Sequence, residues 1–124
     1  MKRADKTIEN HIEIVESQQN VTIVRLCGNV TFANLMQVRD EFIRKTAGIK
    51  VKNILFDLKA VERTDSSGLA ILINLFKHMK ETGAGEKIGL INLSSKMKDL
   101  IEISKVQNLF KEYTSERRAI NALK

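Results

Sequence analysis

From His11 onward the spacing of hydrophobic residues changes several times, and each change marks an element. His11-Ile12-Glu13-Ile14-Val15-Glu16 alternates weakly, as an edge strand does. Ser17-Gln18-Gln19-Asn20 is a polar turn. Val21-Thr22-Ile23-Val24-Arg25-Leu26-Cys27 then alternates cleanly, with Val21, Ile23, Arg25 and Cys27 on one face and Thr22, Val24 and Leu26 on the other. The two segments read as a hairpin, and Gly28-Asn29 is expected to break the second strand. The period then becomes helical. Thr31 stands at a capping position, and Phe32, Leu35, Met36, Phe42 and Ile43 form the expected inner stripe. Arg39, Asp40, Arg44 and Lys45 are placed outside, and Thr46-Ala47-Gly48 ends the helix.

The second half repeats this strand–helix alternation. Residues 51–58 contain Ile54-Leu55-Phe56, a short apolar run that reads as a buried parallel strand. Residues 59–64 are mostly polar and read as a loop. Asp65-Ser66-Ser67-Gly68 leads into a helix whose inner side carries Leu69, Leu72, Phe76 and Met79, widened by Ile73 and Leu75. Thr82-Gly83-Ala84-Gly85 is a turn, and Lys87-Ile88-Gly89-Leu90-Ile91 is a strand. A helix through Met97, Leu100 and Ile101 is capped by Ser94 or Ser95. Leu109-Phe110-Lys111-Glu112-Tyr113 is a last strand, and Ser115-Glu116 opens a helix carrying Ile120 and Leu123. The order β-β-α-β-α-β-α-β-α predicts an α/β domain with a mixed sheet and helices packed mainly on one face. Residues 1–124 are expected to form one unit, with 1–8 a frayed segment.

Composition narrows the function classes. At 124 residues, 43% hydrophobic and 29% charged, the chain has ordinary globular composition rather than that of a disordered segment. A single cysteine rules out an intrachain disulfide and disfavours a cysteine-ligated structural metal. Without tryptophan and with one tyrosine, the chain is poorly supplied for stacking nucleic-acid bases. Leu69-Ala70-Ile71-Leu72-Ile73 is far too short to span a membrane, and the amino-terminal residues contain no secretory apolar core. A cytoplasmic protein is expected. The net charge of +6 is spread out: residues 1–62 hold 10 basic and 8 acidic residues, and residues 63–124 hold 11 and 7. That pattern gives a solvated surface biased toward acidic partners, with no motif for direct nucleic-acid recognition.

Candidate chemistry concentrates at Asp65-Ser66-Ser67-Gly68, between a buried strand and a buried helix. Strand ends of this kind carry sites in open α/β sheets. The short polar residues present hydroxyls beside the free N–H groups of a first helical turn. A phosphate there meets a helix N-terminus and adds about −1.5 to −2 charge, enough to change an interface without refolding the protein. The residues alone leave two readings open, a simple cap with a glycine turn or a functional hydroxyl. Elsewhere the signals are weak. His11 and His78 lie far apart in sequence, His78 on a helix flank, and they make a poor metal pair. Cys27 reads as a small buried hydrophobe. Ser66 and Ser67 lack the nucleophile-elbow context of a hydrolase.

From Ile12 to Leu123 the chain resembles STAS domains of the anti-sigma factor antagonist type. The resemblance rests on Leu26-Cys27-Gly28-Asn29-Val30, the helix from Phe32 to Ile43, Ile54-Leu55-Phe56-Asp57-Leu58, Thr64-Asp65-Ser66-Ser67-Gly68-Leu69-Ala70, the Gly83–Gly85 turn, and the final strand plus helix. It implies that Ser67 is a phosphoacceptor and that Asp65 shapes the helix start. The implied contact surface comprises Asp65, Ser66, Gly68, Thr31, Phe32, Ala33, Glu62, Arg63 and Thr64. Unphosphorylated protein would bind an anti-sigma factor serine kinase and release a sigma factor. That kinase, holding ATP and Mg²⁺ itself, would phosphorylate Ser67, and a serine phosphatase would reset the switch. No cofactor, metal or catalytic residue is implied for this chain, which would be a monomer or weak dimer. The family often has Gly-x-Leu/Ile-Asp where this sequence reads Gly28-Asn29-Val30-Thr31, so an acidic residue is replaced by Thr31. The alternative function is a non-switching STAS scaffold, or a subunit of a larger signalling or lipid-transport complex.

Overall fold

The computed structural model describes residues 11–81, 87–104 and 110–124, excluding the side chains of 14–18, 76 and 104. The turn expected at Gly83–Gly85, the frayed start and Leu109 lie outside the described residues. Within them, strands β1 (Ile12–Gln18), β2 (Val21–Val30), β3 (Asn53–Thr64), β4 (Lys87–Ile91) and β5 (Lys111–Glu112) form one sheet in the order β1-β2-β3-β4-β5. β1 and β2 are antiparallel; the remaining pairings are parallel. The mixed sheet is therefore as expected, with a hairpin at one edge.

Helices α1 (Leu35–Thr46), α2 (Ser66–Glu81) and α3 (Ser95–Ser104) connect successive parallel strands. Their buried residues join one core with Val24 and Leu26 of β2, Ile54, Phe56 and Leu58 of β3, and Ile88 and Leu90 of β4. Alternate strand residues point to opposite faces, so Val21, Ile23, Leu55 and Ile91 form a second, smaller core on the other face. That face is covered by α4 (Glu116–Leu123) through Ala119, Ile120 and Leu123, with Tyr113 beside them. Gly89 leaves room for this helix: a Cβ there would stand 2.9 Å from a Tyr113 ring carbon and 3.0 Å from Leu123 Cδ1. At eight residues α4 is too short to persist alone. Ser115 caps its start, accepting from the Arg118 N–H at 3.2 Å, and the Asn53 side chain donates to the Leu123 carbonyl at its end.

Several sequence expectations require correction. Gly28-Asn29 does not end β2. Gly28 takes φ +69°, and β2 continues to Val30. Residues 59–64 are not a loop but the second half of β3, paired with β2 from Ala60↔Cys27 to Thr64↔Val30. Two register irregularities put extra residues into β3 there, so Leu58 and Val61 both pack on the larger core. A bulge breaks the two-residue period, which is why the segment does not read as a strand. Thr31 does not cap an α-helix through its side chain. Its hydroxyl donates to Asn34 Oδ1 at 2.7 Å, and Phe32–Asn34 is a 3₁₀ turn. That tighter turn rotates Phe32 out of phase with α1. Val38, Glu41 and Phe42 are buried, while Phe32 and Met36 are 71% and 59% exposed. Cys27 is half-buried rather than buried. Ser94 does cap α3, accepting from the Met97 N–H at 3.1 Å.

Glu41 sits on the inner stripe because it receives the start of β1. Its carboxylate accepts from the backbone N–H groups of His11 at 3.0 Å and Ile12 at 2.8 Å, and from Lys45 Nζ at 3.0 Å. Lys45 also donates to the Ile12 carbonyl. Burial pushes this carboxyl upward, but the His11 N–H, Lys45 and the Ile12 N–H outweigh it and hold it below the usual range. A carboxylate depressed in the folded state adds stability above its unfolded pKa and loses it as pH falls through the folded pKa. Glu41→Ala is expected to cost about 3 kcal/mol at neutral pH, since it strands two strand-end donors and a lysine. Glu41→Gln is expected to flatten part of the acid-side fall in stability below the ordinary carboxylate range. Urea midpoints measured against pH check both, and an unchanged pH profile in Glu41→Gln would refute the assignment.

Candidate functional site

The expected site residues converge at one end of the sheet, where the strands β2 and β3 finish together. Val30 pairs with Thr64. The Thr64 hydroxyl donates to the Val30 carbonyl at 3.0 Å, tying the two strand ends. Thr31, Phe32 and Ala33 leave β2 at this point, and Asp65, Ser66, Ser67 and Gly68 leave β3. Glu62, Arg63 and Thr64, expected as a loop, are instead the last residues of β3. A strand presents them, and Glu62 and Arg63 are exposed.

Asp65 begins α2. Its Oδ1 accepts from the Ser67 N–H at 2.9 Å, while its carbonyl accepts from the Gly68 N–H at 2.9 Å. This cap occupies one of the first-turn donors that have no partner within the helix. Ser66 is exposed and Ser67 half-buried on that first turn. Gly68 is buried because the turn lies directly against both strand ends. A Cβ at Gly68 would fall 2.0 Å from Thr64 Oγ1 and 3.2 Å from both the Val30 carbonyl oxygen and Met97 Cε. The glycine is needed for this close approach, not for an unusual backbone angle. Lys96 at the start of α3 reaches across to donate to the Thr64 carbonyl at 3.1 Å.

A phosphoryl group on Ser67 would put a second anion near the Asp65 carboxylate. The helix N-terminus offsets part of that charge, so α2 can persist while the surface around it becomes more negative. The arrangement therefore suits a charge-operated contact surface. Among the described residues, no group of three or more His, Cys, Asp and Glu side chains is placed to hold a metal ion. No helix among them is long and apolar enough to cross a membrane.

Sequence reasoning does not identify Asp57, which organises the approach to this end. Arg25 NH1 lies 2.5 Å from its Oδ2 and 2.9 Å from Glu116 of α4. Asp57 Oδ1 accepts from Asn92 Nδ2 at 2.7 Å and from the Lys59 N–H at 3.0 Å. Burial pushes the Asp57 carboxyl upward, and donation from Asn92, Lys59 and Arg25 brings it below its ordinary range. The available signal was an acid inside the apolar run Ile54-Leu55-Phe56-Asp57-Leu58. An exposed acid there would need no partner, and the sequence does not reveal the three donors that surround it.

Gly68→Ala is expected to destabilise the chain by about 2 kcal/mol, because the Val30 carbonyl and Thr64 cannot both yield. Thr64→Ala combined with Gly68→Ala should cost clearly less than the sum of the single changes. Denaturant titration of the four chains measures this, and strict additivity would contradict the contact.

The STAS domain family model matches residues 13–119. Among solved structures, an anti-sigma factor antagonist from Mycobacterium paratuberculosis superposes with a TM-score of 0.70. The match has 20% identity, covering 90% of this chain and 93% of that one. The Bacillus cell fate determinant SpoIIAA, in its phosphorylated form, gives 0.64 at 17% identity over 90% and 97% of the two chains. The murine anion transporter Slc26a9 gives 0.67 at 24% identity over 86% of this chain and 18% of the transporter. The sheet order, the helix placement and the family match over most of the sequence agree: this chain belongs to the STAS domain family.

Proposed function

We propose that the protein is an anti-sigma factor antagonist whose partner binding is controlled by phosphorylation of Ser67. The observation that carries this reading is the placement of Ser67 on the first turn of α2, fixed by the Asp65 cap at 2.9 Å. In its unmodified state the chain binds an anti-sigma factor serine kinase and so frees a sigma factor in the cytoplasm. Phe32 and Ala33 supply exposed surface beside this turn. Thr31, Glu62, Arg63, Thr64, Asp65, Ser66 and Gly68 complete the contact region. The kinase supplies ATP, Mg²⁺ and the catalytic groups. Phosphoryl transfer forms the Ser67 Oγ–P bond and breaks the bond from the γ-phosphorus to the ADP leaving oxygen, with the hydroxyl proton taken up by the kinase or water. The added charge must be desolvated in the complex beside Asp65, which weakens it. A serine phosphatase then restores the hydroxyl. The chain is thus a ligand and substrate, not an enzyme.

Thr31 brings no charge to the contact region, so the reading includes a kinase that does not require an acid at this position. The test combines purified chain, Mg·ATP and serine kinases from its own cells, with tandem mass spectrometry. One phosphoryl group is expected at Ser67, retained in Ser66→Ala and absent from Ser67→Ala. Ser67→Asp is expected to weaken the kinase complex by about 2 kcal/mol, or ~30-fold. Absence of phosphate at Ser67 both in this assay and in protein recovered from cells would favour the non-switching scaffold, a role STAS domains within larger proteins such as Slc26a9 make structurally reasonable.

A further inference from the structure

β3 is longer than the strand beside it. Its pairing with β4 ends at Asp57↔Ile91, but its pairing with β2 runs on to Thr64↔Val30. Beyond Asp57 the opposite edge of β3 has no strand against it among the described residues. The chain leaves β4 at Asn92, with φ +60°, and turns into α3. Between this overhang and residues 92–97 lies an open groove of about 660 Å³. Val61 and Leu93 provide its accessible apolar surface, with the buried Leu58 and Met97 at its floor; Lys59, Arg63 and Lys96 provide positive charge against one acid, Glu62.

We propose that this groove is a docking site for an extended, acidic segment of a partner protein. The exposed strand edge favours an extended occupant, which can hydrogen-bond to backbone while its side chains choose the register. The two irregularities in β3 limit regular pairing to a short stretch. Recognition must then rest largely on side chains, with carboxylates at Lys59, Arg63 and Lys96 and apolar groups between them. Lys96 already donates to the Thr64 carbonyl across this edge, at 3.1 Å. The net charge of +6 favours the same partner sign at longer range. The site requires no modification of Ser67, although Glu62, Arg63 and Thr64 belong to both regions.

The test titrates the full chain with a short fluorescein-labelled peptide of alternating Glu and Val, followed by anisotropy and by ¹⁵N amide shifts. Shifts are expected in residues 58–64 and 92–97. Affinity should fall at least about tenfold in Lys59→Glu/Arg63→Glu, and remain in the charge-matched control Arg44→Glu/Lys77→Glu. Equal binding of the Lys-for-Glu peptide, shifts confined elsewhere, or an equal loss in both double variants would overturn the proposal. Full displacement by inorganic phosphate at the same molar concentration as free peptide would also overturn it, identifying a simple anion site. The titration contains neither kinase nor nucleotide, so its failure leaves the Ser67 reading standing, and failed phosphorylation leaves this one standing.

Discussion

The Asp57 carboxylate joins parts of the chain that lie far apart in sequence. It holds Arg25 of β2, Asn92 at the exit from β4 and the Lys59 N–H of its own strand. Through Arg25 it reaches Glu116 at the start of α4. A buried carboxylate without such donors would be costly, and losing one partner would leave charge uncompensated. This requirement helps to place β4, α3 and α4 relative to the central strands. It also marks the point where β3 parts from β4 and continues alone with β2.

The parting has consequences for both proposed surfaces. The bulged continuation of β3 carries Glu62, Arg63 and Thr64 to the beginning of α2, where the Thr64 hydroxyl joins the Val30 carbonyl. On its other edge the same continuation leaves the groove facing α3. One local departure from regular pairing thus positions the α2 turn and exposes strand backbone beside it. Gly68 permits the close packing between them, with Met97 completing the contact from α3. At the opposite edge of the sheet Glu41 does comparable work for the hairpin, securing the start of β1 to α1.

The long runs were the most legible parts of the fold. Val21 through Leu26 alternates on both faces of β2, and Leu69, Leu72 and Met79 are buried on α2 as their spacing requires. Ser94 and Ser115 act as caps at the expected places. Local irregularity was harder to read. Gly28 can end a strand or bend within one, and the residues after Leu58 lose the two-residue period while remaining in β3. Phe32 has the spacing of an inner helical residue, but a 3₁₀ turn leaves it outside. At the candidate site, the Asp65 cap could be read from residue type. The close approach at Gly68 could not, because it depends on the Val30 carbonyl and Met97, both distant in sequence.

The sequence by itself determined the strand and helix order, the two-faced sheet, the short polar turn at Ser67 and the family resemblance. These follow from periodicity, residue chemistry and short motifs, all of which act over a few neighbouring positions. Only the tertiary structure decided that Asp57 would take donors from Arg25, Asn92 and the Lys59 N–H and, through Arg25, reach Glu116. It also decided that Glu41 would face inward and that β3 would outrun β4. Those outcomes depend on pairing register and on hydrogen bonds between residues roughly thirty or more positions apart, information that local spacing does not contain.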